Sequence, residues 1–334
     1  MKKRIIFTLL LLTTLLICSC GLDNTSIKSS SDSNEAAVVN SGVDNTTESD
    51  IQSEVSETET TEKLRIVTLG DSITRGYGLD NPSLKCFPSQ LANNLREIYG
   101  KVDIKNYAID GLTSGGLLEQ LKSGDVSSLK DADIVTVCIG ANNVLHLAFE
   151  LIGNGNTDVI NLFMEYGKYL MGDKSNVKAL DDLSDYFASI NERAESSEFI
   201  VKVQAGVEDL RTDIPKIIEE IRKVNKDAKI YFSTIYSPYK GMNVSLALIT
   251  TQFKLGYFSD NFVNLLNEVI IELSEETGYN VVDICTLFAE DVKDNVNAGI
   301  DIEEMNINFD PHPNLNGHTL IADEYTKIIT EDNT

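Results

Sequence analysis

Ser72 follows Leu64-Arg65-Ile66-Val67-Thr68-Leu69, an apolar β-type stretch that empties into Gly70-Asp71-Ser72. Such a turn presents a hydroxyl at the carboxyl edge of a sheet, where open α/β folds bind their ligands. Backbone N–H groups at the start of a following helix face any oxyanion that forms on Ser72. Gly-Asp-Ser alone is a weak signal, and other segments give it weight. In Asn106–Ser114 a strand reaches Gly111 just before a helix. A glycine there lets a backbone N–H approach a reacting oxygen closely. Ile139-Gly140-Ala141-Asn142-Asn143 ends another apolar run, and the Asn142 side chain offers an amide donor. The N–H of Ser72, the N–H of Gly111 and the Asn142 amide can surround one oxyanion. Losing one such donor typically costs on the order of 3 kcal/mol of transition-state stabilisation. Phe309-Asp310-Pro311-His312-Pro313-Asn314 is a proline-stiffened loop that sets an imidazole beside a carboxylate.

These pieces need a sheet edge to converge on. Strand-like runs recur at Arg65–Leu69, Asp103–Tyr107, Ile134–Ile139, Lys229–Thr234 and Asn280–Ile284. Helical patterns separate them at Gln90–Tyr99, Ser114–Lys122, Val207–Val224 and Phe262–Glu276, and a last one runs over Leu315–Ile329. This alternation predicts an α/β fold, a parallel sheet with helices on both faces. Pro215 predicts that the third helix starts at Asp213 or is kinked there. Residues 144–200 break the rhythm with apolar clusters around Gly153-Asn154-Gly155-Asn156 and read as a helical insertion, either a substrate-facing lid or an inert cap. Gly241–Phe258, apolar without a clear period, is a second candidate cover.

The four segments occur in the order serine, glycine, asparagine, histidine, and on these residues the chain resembles the SGNH (GDSL) esterases across most of residues 64–330. The resemblance implies a three-layer, flavodoxin-like α/β/α sandwich with a five-stranded parallel sheet, and ester hydrolysis through an acyl-enzyme, lysophospholipase-like activity included. It implies Ser72 as nucleophile, His312 as general base, and Ser72, Gly111 and Asn142 as the oxyanion hole. Two positions depart from the family pattern. Asn143 stands where the third motif usually has Asp, and an amide keeps the hydrogen bonds without the charge. Phe309 stands where the triad acid usually lies, and Asp310 is only two residues before His312. In an extended loop residues i and i+2 point the same way, and a residue before proline favours extension. Asp310 then reaches Nδ1 of His312 as triad acid, or a backbone carbonyl orients the ring and a Ser–His dyad operates.

The N-terminus indicates where such a domain works. Lys2, Lys3 and Arg4 precede an apolar stretch, Ile5–Ile17, too short for a comfortable membrane span. Ile17-Cys18-Ser19-Cys20-Gly21 resembles the lipobox of bacterial lipoproteins. That resemblance implies a signal peptide over 1–19 and Cys20 as the lipidated first residue of an exported, outward-facing protein. An ordinary cleaved signal or a short anchor is the plainer alternative. Residues 21–62 carry ten acidic residues against a single lysine, Lys28, and no aromatic, so they read as a disordered tether. Residues 63–334 then form one catalytic domain.

The formal charge of −24 and the lack of a basic stripe exclude nucleic acid as a partner. Like charge also repels anionic lipid heads, so contact with the membrane rests on the N-terminal lipid anchor. Cys86, Cys138 and Cys285 have no metal-type spacing, so no metal, cofactor or disulfide framework is expected, and a monomer acting on an ester is. His146, in an apolar stretch, reads as a lid or core residue, His318 as a packing residue, and Asp71 as a partner of loop backbone. The competing functions are a non-catalytic ligand-binding lipoprotein, for which the displaced Asp310 speaks, and an acyltransferase on the same constellation.

Overall fold

The computed structural model describes residues 63–153, 157–301, 304 and 306–332. The expected signal peptide, Cys20 and the tether lie outside the described residues. Five strands form one parallel sheet: β1 (Leu64–Gly70), β2 (Val102–Asn106), β3 (Ile134–Cys138), β4 (Lys229–Ser233) and β5 (Asn280–Val282). Their spatial order is β2-β1-β3-β4-β5, the flavodoxin-like arrangement. Ile66, Val67, Leu69, Ile134, Val135 and Val137 are all buried, which is why these strands read as continuous apolar runs instead of alternating ones.

The helices that frame the sheet and the site include, in chain order, α1 (Ser72–Arg75), α2 (Phe87–Tyr99), α3 (Ser114–Ser123) and α4 (Asn142–Ile152). There follow α5 (Thr157–Leu170), α6 (Lys178–Glu195), α7 (Ser197–Val224), α8 (Leu255–Thr277) and α9 (Leu315–Glu331). Helix α2 packs on α9, where the Phe87 and Tyr325 rings stack at 5.5 Å. Helices α3, α7 and α8 pack in succession as a second layer. The chain leaves β1 for β2 on one side and returns to β3 on the other, so the order reverses between β1 and β3. Gly70 and Cys138 are register partners, which brings the two strand ends side by side. A Cβ at Gly70 would lie 2.2 Å from Thr74 Oγ1 and 2.5 Å from the Cys138 carbonyl, so the crossing admits no side chain.

One sequence expectation needs correction. Helix α7 does not start at Asp213; it begins at Ser197 and runs through Pro215. Its buried face, from Val203 through Leu210, Ile214, Ile217 and Ile221, spans both sides of Pro215, and burial of that face outweighs one lost backbone hydrogen bond. Most of the described residues of the segment 144–200 are helical, in α4, α5, α6 and the start of α7. Phe187 of this region, itself packed on Phe163, stacks on Phe253, which belongs to the second expected cover. The Tyr166 hydroxyl and the Asn191 amide donate to the Ala247 and Gln252 carbonyls, at 3.1 and 2.8 Å. Gly241–Phe258 thus lies pinned beneath α5 and α6.

Candidate active site

At the end of β1 the Asp71 carboxylate caps α1, accepting the Ile73 N–H at 3.0 Å. The Gly76 and Tyr77 N–H groups both return to the Ser72 carbonyl at 3.0 Å, so the turn holding Ser72 is tied from both ends. Its hydroxyl lies 2.9 Å from Nε2 of His312. On the other side of the ring, Nδ1 lies 2.5 Å from Asp310 Oδ1. A carboxylate there requires the proton on Nδ1, which leaves Nε2 as acceptor for the Ser72 hydroxyl. The Tyr77 ring packs over the imidazole, centroids 4.6 Å apart.

The Asp310–His312 loop is fixed from several directions. The His312 N–H returns to Asp310 Oδ1 at 3.1 Å, the local contact that a spacing of two allows. The buried hydroxyls of Tyr239 and Tyr236 donate to the Phe309 and Pro311 carbonyls, at 2.9 and 2.8 Å. Burial pushes both phenols up, so they remain donors. Burial also acts to raise Asp310, but hydrogen bonds and charge from His312, with a further bond from Asn297, hold it below the usual carboxylate range.

The oxyanion donors are less uniformly placed. Asn142 stands beside the nucleophile turn, and its amide donates to Asp71 Oδ2 at 3.1 Å and to the Leu112 carbonyl at 3.0 Å. Both amide hydrogens are thereby engaged, so donation to an oxyanion requires Asn142 to share or release one. Gly111 occupies the next turn with φ +73°, over open space, adjoining the Leu112 that Asn142 holds. The described hydrogen bonds do not link Gly111 to Ser72. Asp71 is fully buried, and desolvation pushes it up to about 7 despite the Ile73 N–H and the His312 charge. At Asn143 the amide does what a carboxylate cannot. It accepts the Ser114 N–H at 3.0 Å and also donates to the Ser114 hydroxyl and the Gly206 carbonyl.

His146 is an exposed residue of α4, so it is not a core residue; it lies on the outer face of the first helix of the 144–200 segment. His318 is a buried packing residue whose Nδ1 accepts the Phe87 N–H at 3.3 Å, and burial lowers it to about 4. Among the described residues Cys86, Cys138 and Cys285 are free thiols, and no group of His, Cys, Asp and Glu gathers to hold a metal. Sequence reasoning did not find Tyr77, Tyr236, Tyr239 or Asn297. Only Tyr77, close behind the nucleophile, carried any signal.

Ser72, Asn142 and His312 open onto a cavity whose other walls are apolar. Val144, Leu145, Ala148 and Leu151 of α4 form one side and Phe258, Phe262 and Leu266 of α8 the other. The expected helical insertion therefore contributes a wall of the site through α4.

Residues 68–320 match the GDSL-like lipase/acylhydrolase family. The chain is 25% identical over 343 residues to the uncharacterized protein YpmR of Bacillus subtilis (strain 168), covering 99% of this chain and 98% of that one. A solved lipase, Lip_vut3 from a goat rumen metagenome, is similar at 16% identity and a TM-score of 0.49, over 79% of this chain and 97% of its own. Phospholipase A1 of Streptomyces albidoflavus NA297 is similar at 15% identity and a TM-score of 0.47, over 81% and 99% of the two chains.

Proposed function

The chain belongs to the GDSL-like lipase/acylhydrolase family, and within it we propose a serine esterase that cleaves esters of apolar acyl chains through an acyl-enzyme. The carrying observation is the hydrogen-bonded line Ser72–His312–Asp310 opening onto an apolar cavity between α4 and α8. Ser72 Oγ attacks the ester carbonyl while His312 Nε2 takes its proton, and Asp310 stabilises the imidazolium at Nδ1. The carbonyl oxygen, now negative, takes the Ser72 N–H and an Asn142 N–H, with Gly111 as the third donor. The carbonyl re-forms as the alcohol departs with the proton from His312. Water then repeats the sequence and frees the acid.

The acyl chain lies along Leu145, Ala148 and Phe258, which favours single-chain lipid esters such as lysophospholipids over acetylated glycans. Each buried CH₂ contributes about 0.8 kcal/mol. An octanoyl p-nitrophenyl ester should therefore exceed the acetyl ester in kcat/KM by roughly tenfold or more. A fluorophosphonate should modify Ser72 and leave Ser72→Ala untouched. Fastest turnover on acetyl esters or acetylated peptidoglycan refutes the acyl assignment, and labelling that survives in Ser72→Ala refutes the nucleophile. The same proposal puts this activity on the outer face of the membrane, supported by the resemblance of Ile17–Gly21 to a lipobox with Cys20 as the lipidated residue. Cys20→Ala should move the protein from the membrane fraction to the medium or leave unprocessed precursor, and unchanged membrane-bound mature protein contradicts the anchor.

A further inference from the structure

Asp310 precedes His312 by two residues, with only Pro311 between them. Beside that loop the segment Asn295–Asn297 runs antiparallel. The Asn297 N–H donates to the His312 carbonyl at 2.9 Å, the Asn314 N–H to the Asn295 carbonyl at 3.1 Å, and Val296 bridges to Pro313. Helix α9 closes on this segment at Gly317, where a Cβ would lie 2.1 Å from the Asn295 carbonyl. From this brace the Asn297 side chain reaches the acid, donating from Nδ2 to Asp310 Oδ2 at 3.0 Å. Gly78 backs the same pair: a Cβ there would lie 3.6 Å from Asn297 Nδ2 and 3.8 Å from Asp310 Oδ2.

The two carboxylate oxygens divide their work. Oδ1 accepts both the His312 ring and the His312 backbone N–H, while Oδ2 accepts Asn297. The terminal torsion of an aspartate is broad and roughly two-fold, so Oδ1 alone does not fix the carboxylate plane. A donor on Oδ2 removes that freedom and favours the charged form. We infer that Asn297 is a positioning residue for the acid, holding the Asp310 carboxylate by its side chain and the His312 carbonyl by its backbone. A spacing of two residues then presents an oxygen squarely to Nδ1. The inference rests on the triad proposed above and extends it to a residue outside the four sequence segments.

Asn297→Leu and Asn297→Ala delete the side-chain donor and keep the backbone N–H. One charge-assisted hydrogen bond on the acid predicts a fall in kcat of roughly tenfold with KM nearly unchanged. In an Asp310→Ala background the same substitutions should cost nothing further, measured as the rate of fluorophosphonate labelling. The second readout is the split between kcat and KM: a donor that acts only through the acid moves kcat and leaves KM alone, whereas a merely structural loss moves both. Unchanged kcat in both variants, or an equal loss with and without Asp310, overturns the inference. Wild-type protein that neither turns over esters nor labels at Ser72 defeats the triad proposal itself. Active wild type with indifferent Asn297 variants defeats this inference alone.

Discussion

The catalytic edge of the sheet and the α5–α6 cover are held in place by different forces. At the edge, directional contacts to a neighbour fix each reacting side chain: Ser72 to His312, His312 to Asp310, Asp310 to Asn297, and Asn142 to Asp71. In the cover, Phe187 is fully buried and stacks on Phe253 at 4.9 Å, with Phe163 beside it at 5.8 Å. Hydrogen bonds demand a particular atom at a particular distance, whereas apolar packing demands volume. Substitutions at the edge should therefore remove chemistry with little loss of fold, and substitutions in the cover the reverse.

The largest effect belongs to the edge. His312→Ala should lower kcat by roughly 10⁴–10⁶-fold on any ester, as removal of a general base does elsewhere, while the melting temperature changes little. A large drop in both would show that the site also carries the fold. In the cover, Phe187→Ala should cost about 3–5 kcal/mol of stability, the usual range for deleting a buried aromatic. Its kcat on a short ester should stay within about twofold while the protein is folded, because the removed ring bonds to no catalytic group. Denaturant melts and kcat on the same samples separate the two effects, and a large kcat loss in folded protein would break the distinction.

Asp71 sharpens the comparison because it lies at the edge and costs stability. Burial lifts it from the ordinary value of 3.8 to about 7. A carboxyl raised on folding stabilises the fold fully below its unfolded pKa, and that contribution is lost as pH rises through the folded value. Between about pH 4 and 7 the wild type should therefore lose stability relative to Asp71→Asn, by on the order of 2–4 kcal/mol. Melting curves at pH 4 and pH 8 measure this, and a difference of opposite sign contradicts the assignment.

The same division explains what could be read from the sequence. The strand segments were legible to within one or two residues, since central strands β1 and β3 are apolar runs buried on both faces while edge strand β2 alternates apolar and polar residues. Ser72, Asn142 and His312 were legible because each ends or stiffens a turn with a recognisable residue pattern. Asn297 was not, because its role depends on Val296 pairing with Pro313, a tertiary contact that no local pattern announces. The start of α7 was missed because Ser197–Gly206 carries the β-branched run Ile200-Val201 and ends in a glycine, and Pro215 suggested a later start. The core alternative for His146 fails because apolar neighbours in sequence said nothing of which face of α4 it occupies.

The central claim is that the acid works from two residues before the base. Asp310→Asn tests it most directly, with kcat and KM measured on one p-nitrophenyl ester. An amide at this position favours the wrong imidazole tautomer, so kcat should fall by about 10⁴-fold with KM little changed. Near-normal kcat in a folded Asp310→Asn variant would contradict the account and leave Ser72 and His312 acting as a dyad.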